Sequence, residues 1–271
     1  MIKQAIIPLA GLGTRLMPLT SVIPKELLPI NGKPVLEYII NECIDAGIKE
    51  IVFIISKKKM MIKKYFYNDK FYNDLIKKKK DPRIIKEYNK ILRYRKMIKF
   101  VYQNNPKGTG DAVFKAKKYI NEKYFLMLLP DDLIIKNNCS KSLIDTHKRY
   151  KSSVMASMSV NKKTVSRWGI YKLSKQLNKK DYLINGVVEK PKIKDAPSNK
   201  AVIGRYILPK TIFSKLKNMK PGKGGELHIT DAIQSLINDN ENFVAHNFSG
   251  KFLDCGTMNG YINSSKEVEK L

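Results

Sequence analysis

The segment Leu9-Ala10-Gly11-Leu12-Gly13-Thr14-Arg15 sets two glycines, a hydroxyl and a guanidinium directly after the first apolar run of the chain. Glycines there let backbone N–H groups approach a phosphate or a base with no Cβ in the way. Arg15 can fork onto phosphate oxygens. Lys25, followed by Glu26, adds a second cation ten residues on. The dinucleotide G-x-G-x-x-G spacing is not met, because Leu16 stands at its sixth position, and the P-loop pattern is not met either. Taken alone, the loop fits equally well a tight turn with a surface arginine. Further on, Gln103–Ala112 (QNNPKGTGDA) places a side-chain amide, able to donate and to accept, ahead of Gly108. Asp131 closes the most apolar run, and a hard carboxylate there suits Mg2+. Asp132 competes for that position, and an aspartate ending a strand is often only a cap. His147, His228 and His246 are isolated, so no Ser/His/Asp or Cys/His set is evident.

Positioning these groups requires strands ending at the right places. Gln4–Leu9 reads as a short buried strand, with Ala10–Thr20 as the loop after it. Over Pro34–Ala46, apolar Val35, Leu36, Ile39, Ile40 and Cys43 recur at helical spacing, and Gly47 fits the C-terminal cap. Ile48–Ser56 is a second apolar strand, so a βαβ unit and a parallel sheet are expected. Residues 57–99 read as a polar, partly helical insertion broken at Asp81–Arg83. Ile98–Tyr102 and Tyr124–Leu129 read as strands, the latter apolar enough to be central, with a helix over Gly110–Ile120 between them. A helix over Ser140–Tyr150, with Ser140 as its N-cap, leads to a strand at Val154–Val160. From Arg167 the pattern turns to short strands (Gly169–Leu173, Val187–Glu189, Ala201–Leu208), then helices at Pro209–Leu216 and Thr230–Asp239 and strands at Phe243–Phe248 and Lys251–Leu253. The expected fold is one α/β domain spanning 1–271: a doubly wound, Rossmann-like, mixed but mostly parallel sheet with inserted short strands over 161–208 and a C-terminal helix over 258–271.

Composition bounds the rest. A chain of 271 residues that is 43% apolar can bury one large core. No apolar run approaches the ~20 residues of a membrane span, and no secretory signal is evident, so a cytoplasmic location is expected. Cys43, Cys139 and Cys255 are widely spaced and odd in number, which argues for reduced, mostly buried thiols. The net charge of +28 raises nucleic acid as a partner. Only seven of the 52 basic residues are arginine, however, and runs such as Lys77–Lys80 read as solvated segments. No specific nucleic-acid partner is expected; a non-catalytic polyanion binder is the reading of a different class.

Read as a whole, LAGLGTRLMPLT followed by IPKELLPINGKPVLEYII resembles the N-terminal signature of the sugar-nucleotide pyrophosphorylases. That resemblance implies a nucleoside triphosphate held by Leu9, Ala10, Gly11, Gly13, Thr14, Arg15, Lys25 and Glu26, with Gln103 and Gly108 at its base and Asp131 alongside. Glu189 and Lys190 in VVEKP match the family's sugar-hydroxyl and sugar-phosphate contacts, and Gly169 and Gly204 match its sugar-pocket backbone. Asp131 and Asp254 match aspartates near Mg2+. Within the family, the length of 57–99 and the segment GKGGELHITDAI at Gly222–Ile233 resemble the uridylyltransferases acting on glucose 1-phosphate more than the thymidylyltransferases. One departure is Asp111, where UTP-specific members commonly carry histidine. The resemblance thus implies UTP and glucose 1-phosphate as substrates, Mg2+ as cofactor, Arg15, Lys25 and Lys190 as charge-stabilising catalytic groups, and a homo-oligomer. Thymidylyl or cytidylyl transfer is the alternative.

Overall fold

A computed structural model describes residues 2–222 and 225–270. Lys223 and Gly224 of the GGE segment, Met1, and Leu271 of the expected C-terminal helix lie outside the described residues. In chain order, the first strand β1 is Gln4–Pro8, the hairpin strands β2 and β3 are Pro29–Ile30 and Lys33–Pro34, and helix α1 is Val35–Asp45. Strand β4 (Glu50–Ile55) precedes helices α2 (Met60–Phe66), α3 (Asp69–Lys79) and α4 (Pro82–Met97). Then come β5 (Ile98–Tyr102), α5 (Thr109–Lys115), β6 (Tyr124–Leu128), β7 (Asp132–Ile135), α6 (Cys139–Tyr150) and β8 (Ser153–Ser159). The second half holds β9 (Gly169–Gln176), β10 (Asp181–Glu189), β11 (Lys200–Pro209), α7 (Ile212–Asn218), α8 (Ile229–Asn238), β12 (Phe243–Asn247), β13 (Lys251–Asp254) and α9 (Met258–Glu269).

Nine strands form one mixed sheet in the order β5-β4-β1-β6-β11-β8-β12-β10-β9. Strands β5, β4, β1 and β6 pair in parallel, as the βαβ pattern requires. The expectation of a mostly parallel sheet holds in this half. Beyond β6 the sheet is mixed, against the expectation of mostly parallel pairing: β11 runs antiparallel to both β6 and β8, β10 runs antiparallel to both β12 and β9, and β12 pairs in parallel with β8. Of these antiparallel pairs, only β9 and β10 are joined by a short hairpin; the other antiparallel neighbours come from distant parts of the chain. β6 is central, as its apolar run demands.

Alternation along the strands divides the core into two layers. Ala5 and Ile7 of β1 face the layer made by α1, α2, α4 and α6, through Leu36, Ile40, Phe66, Tyr94 and Leu143. Ile6 faces the opposite layer, made by α5, α7 and α8 through Val113, Phe213 and Ile233. All three cysteines are free and buried. Among the described residues no helix is long and apolar enough to cross a membrane.

One local expectation changes, and the expected break at Asp81–Arg83 falls between α3 and α4. The N-cap of α6 is Asn138, whose side chain accepts from the Lys141 N–H. Ser140 lies one residue inside the helix, fully buried, and its hydroxyl donates to Glu42. The break at Asp81–Arg83 is a cap: the Asp81 carboxylate accepts from the Arg83 N–H and Pro82 opens α4, where its missing N–H costs nothing. The lysine-rich segment is anchored on α1, because Lys90 pairs with Glu37 at 2.9 Å and the Tyr94 hydroxyl donates to Asn41 at 2.8 Å.

Candidate active site

The ends of β1, β5 and β6 open into one cleft of about 480 Å3. Ala10, Gly11, Gly13, Thr14, Lys25, Glu26, Gln103, Gly108 and Asp131 all line it, so residues spread over 122 positions of sequence converge. Leu9 does not: its side chain is fully buried in the core and its N–H donates to Ile54. Gly13 adopts a φ of +71°, which closes the turn before Arg15. The loop therefore holds a conformation for backbone N–H groups that a bulkier residue would resist.

Charge gathers at one end of the cleft. Lys25 Nζ lies 2.7 Å from Asp131 Oδ2, and Arg15 Nη2 approaches the same oxygen at 3.5 Å. Burial works against the Asp131 anion, but Lys25 and Arg15 outweigh it and hold its carboxyl below the ordinary value. Burial likewise opposes the Lys25 cation, and Asp131 with Glu26 reverses the effect, so Lys25 stays charged. Asp132 behaves differently. Burial, and repulsion from Asp131, push its carboxyl up to about 7, and its Oδ2 accepts from the Gly204 N–H at 2.7 Å. The two aspartates differ in placement: Asp131 lines the cleft and Asp132 ties β7 to β11.

Beneath this turn lies a residue whose role only the fold reveals. Arg205 is fully buried, forks onto both Glu42 oxygens, and donates to the carbonyls of Leu129 and Asp132. Its guanidinium pins the Pro130–Asp132 turn from below, so it serves the cleft as a brace rather than as a ligand.

Asp254, at the end of β13, lies outside the cleft lining but near Asp131. Its Oδ1 accepts from the Gly256 N–H and its Oδ2 from the Thr257 hydroxyl, both at 2.8 Å. A Cβ on Gly256 would stand 2.8 Å from Asp131 Oδ2, 3.2 Å from Asp254 Oδ1 and 3.0 Å from Arg15 Nη2. The two carboxylates therefore converge over Gly256, and that bare backbone leaves space between them. Two hard oxygen donors so placed fit Mg2+, which takes one or two carboxylates together with other oxygen ligands and water.

Gly169, Glu189, Lys190 and Gly204 lie outside the cleft lining. Glu189 pairs with Gly169 across β9 and β10, and Lys190 follows with a φ of +47°, its N–H donating to the Trp168 carbonyl. A left-handed lysine at a strand end is a strained position of the kind found at ligand sites. Both side chains are largely exposed, and Nζ lies 3.6 Å from Oε1. Burial, with Asp132 and Glu189, pushes the Tyr206 hydroxyl up.

Three features of the site differ from expectation or lie beyond it. Glu26 lines the cleft, yet both of its oxygens are held at 2.8 Å by Lys59, from the start of the 57–99 segment. Gly108 turns its Cβ side toward the backbone of Leu227, which a methyl would meet at 2.5 Å, and its φ is +95°. The need for glycine there comes from the strap Glu226–Leu227, which also bonds Lys107 and Gly110. Glu226 itself lines the cleft, and the GGE segment was the one available signal for it. Lastly, the Gln103 amide nitrogen is already engaged, by Asp111 at 2.7 Å and the Gly108 carbonyl at 3.2 Å.

A glycine loop, two cations and two convergent carboxylates at the carboxyl edge of parallel strands define a nucleotide-binding α/β transferase. The chain belongs to the nucleotidyl transferase family, whose model matches residues 4–270. A UTP–glucose-1-phosphate uridylyltransferase of Mycoplasma pneumoniae is 38% identical over 269 residues, covering 97% of this chain and 91% of that protein. Among solved structures, a UTP-bound UGPase from Acinetobacter baumannii superposes with a TM-score of 0.89 at 32% identity, covering 99% and 93% of the two chains. A UDP-glucose pyrophosphorylase complexed with UDP-glucose superposes at 0.86 with 35% identity, covering 100% and 99%.

Proposed function

We propose that the protein joins UTP and α-D-glucose 1-phosphate to give UDP-glucose and pyrophosphate. The observation that carries this reading is the meeting of the Gly11–Arg15 loop, Lys25 and Asp131 between β1 and β6. The parallel strands run β5-β4-β1-β6, the 3-2-1-4 order of a doubly wound, Rossmann-like half, whose switch point falls between β1 and β6. Ligands of open α/β sheets sit outside the strand ends at that point. Names carried by the relatives, a UTP–glucose-1-phosphate uridylyltransferase and a UDP-glucose pyrophosphorylase, support the choice of substrates.

In this reading a phosphate oxygen of glucose 1-phosphate attacks the α-phosphorus of UTP in line. The new P–O bond forms as the bond to the β-phosphate bridging oxygen breaks, and pyrophosphate departs with that electron pair. The nucleophile is ionised at neutral pH, so no general base is required. Catalysis rests on positioning and charge neutralisation. The loop residues Gly11, Gly13 and Thr14 hold phosphates; Arg15 and Lys25 offset charge on the triphosphate. Lys190 takes the phosphate of the sugar, and Glu189 accepts from its hydroxyls, in a sugar arm formed by residues 161–208 with Gly169 and Gly204 as backbone. Asp131 and Asp254 would hold Mg2+, which supplies further positive charge against the phosphates. A homo-oligomer belongs to the same reading, supported by exposed Met17, Leu19 and Val22 beside the loop, and sedimentation velocity measures its mass.

The test is a panel of triphosphates. Purified protein with glucose 1-phosphate and Mg2+ is given UTP, dTTP and CTP in turn, and pyrophosphate release is followed. UTP is expected to be used best; a preference of more than about tenfold for dTTP or CTP, about 1.4 kcal/mol of barrier, would replace this reading by thymidylyl or cytidylyl transfer.

A further inference from the structure

Among the described residues the one basic side chain lining the cleft is Lys25, at the Asp131 end, while Gln103 and Gly108 lie at an end with no lining cation, so phosphates take the first and the base takes the second. At that second end the Gln103 amide can read a base edge. Gln103 follows β5 directly, its own N–H is fixed to the Ile55 carbonyl at 2.8 Å, and the residue is only 3% exposed.

An amide normally offers a donor face and an acceptor face, and which one meets a ligand depends on what holds the other. Here Nε2 donates to Asp111 Oδ2 at 2.7 Å and to the Gly108 carbonyl at 3.2 Å. Both partners are acceptors only. A flipped amide would set Oε1 against a carboxylate and a carbonyl at once, so the orientation follows from chemistry and not from the shape of the side chain alone. Both N–H groups are thereby spent. Among the described residues no donor reaches Oε1. Asp111 is itself buried in the first turn of α5, with Lys115 3.8 Å from its other carboxylate oxygen.

We infer that Asp111 is a positioning residue that fixes Gln103 as a pure hydrogen-bond acceptor toward the base, so that the cleft selects pyrimidine triphosphates carrying an N3–H and turns away cytidine. This deepens the proposed use of UTP and rests on that reading for the placement of the base. Uracil presents an N–H at position 3, which Oε1 can accept. Cytosine presents a lone pair there, and two acceptors would face each other in a buried setting, where an unmade hydrogen bond is costly. Thymine carries the same N3–H, so this pair does not separate UTP from dTTP.

Asp111→Asn tests the idea, because an asparagine can donate as well as accept and so removes the shorter of the two contacts that forbid the flipped amide, leaving only the Gly108 carbonyl at 3.2 Å. Asp111→Ser, with a hydroxyl that can do either, is the second variant. UTP, CTP and 3-methyl-UTP are titrated calorimetrically into the wild-type protein and both variants, with thermal melting as the check on folding. The wild type is expected to bind UTP well above CTP and 3-methyl-UTP. The ratio of CTP to UTP dissociation constants is expected to fall about tenfold or more in a folded variant. An unchanged ratio in both variants, equal wild-type binding of CTP and UTP, tight binding of 3-methyl-UTP, or binding of neither triphosphate would each overturn the inference. Pyrophosphate release by the wild type from UTP and glucose 1-phosphate is measured separately. Its absence beside intact binding selectivity refutes the proposed reaction while this inference stands.

Discussion

The ammonium of Lys59 lies 2.8 Å from each carboxylate oxygen of Glu26, and both side chains are almost wholly buried. This pair joins the start of the helical segment to the turn that carries Lys25. Burial pulls the Lys59 ammonium below its ordinary value even though Glu26 opposes that shift. Two buried charges stabilise little as a pair, but either one alone is costly. Lys59→Met is expected to destabilise the fold by about 3–5 kcal/mol and to weaken UTP binding, because Glu26 lines the cleft. Adding Glu26→Leu should recover most of the stability and little of the binding. Urea unfolding and UTP titration of both variants check the two halves separately.

Asp131 and Asp132 are adjacent in sequence and opposed in direction, which separates their expected effects. Asp131→Asn removes the charge that faces Lys25 and Asp254 and should lower kcat/KM by about 10²–10³. Asp132→Asn keeps an oxygen for the Gly204 N–H and should cost less than about tenfold. Initial rates of pyrophosphate release decide between them; equal losses would mean that the cleft-facing carboxylate is not special.

Gly108→Ala places a methyl 2.5 Å from the Leu227 carbonyl at a φ of +95°. The backbone strain alone is expected to cost about 1–3 kcal/mol. Relief of the clash moves the Glu226–Leu227 strap, so UTP affinity should fall along with the melting temperature.

The fourth expectation concerns acid. Asp181 has no exposed surface and receives hydrogen bonds from His246, Asn178 and Tyr150. Burial opposes its charge, but these bonds prevail and hold its carboxyl below the ordinary value of 3.8. A lowered folded-state value means that the stabilisation is complete above 3.8 and is lost as pH falls through the folded-state value. The melting temperature of the wild type should therefore drop more steeply below about pH 4 than that of Asp181→Asn. Parallel acid titrations of the two proteins, followed by circular dichroism, measure the difference.

Much of this architecture was legible from local pattern. Strand β1, helix α1 with its glycine stop, and strand β4 follow from hydrophobic period and capping, which are properties of neighbouring residues. The cleft loop followed from glycine spacing joined to the longer resemblance. Strand β7 was missed, because Asp132 and the short Leu133–Ile135 run carry no pattern until β13 pairs with them. The antiparallel entry of β11 between β6 and β8 was missed for the same reason: pairing partners lie tens of residues apart.

The sequence by itself determined which chemical groups meet at the cleft: Gly11, Gly13, Lys25 and Asp131 in its lining, with Arg15 beside Asp131. Only the tertiary structure decided how those groups are held. Arg205 became a buried brace on Glu42, Lys59 neutralised Glu26, and Asp111 claimed the amide nitrogen of Gln103. The physical reason is the range of the forces involved. Propensity and periodicity act over a few residues, whereas the direction of a carboxylate or an amide is set by whichever donor or acceptor the fold brings within about 3 Å.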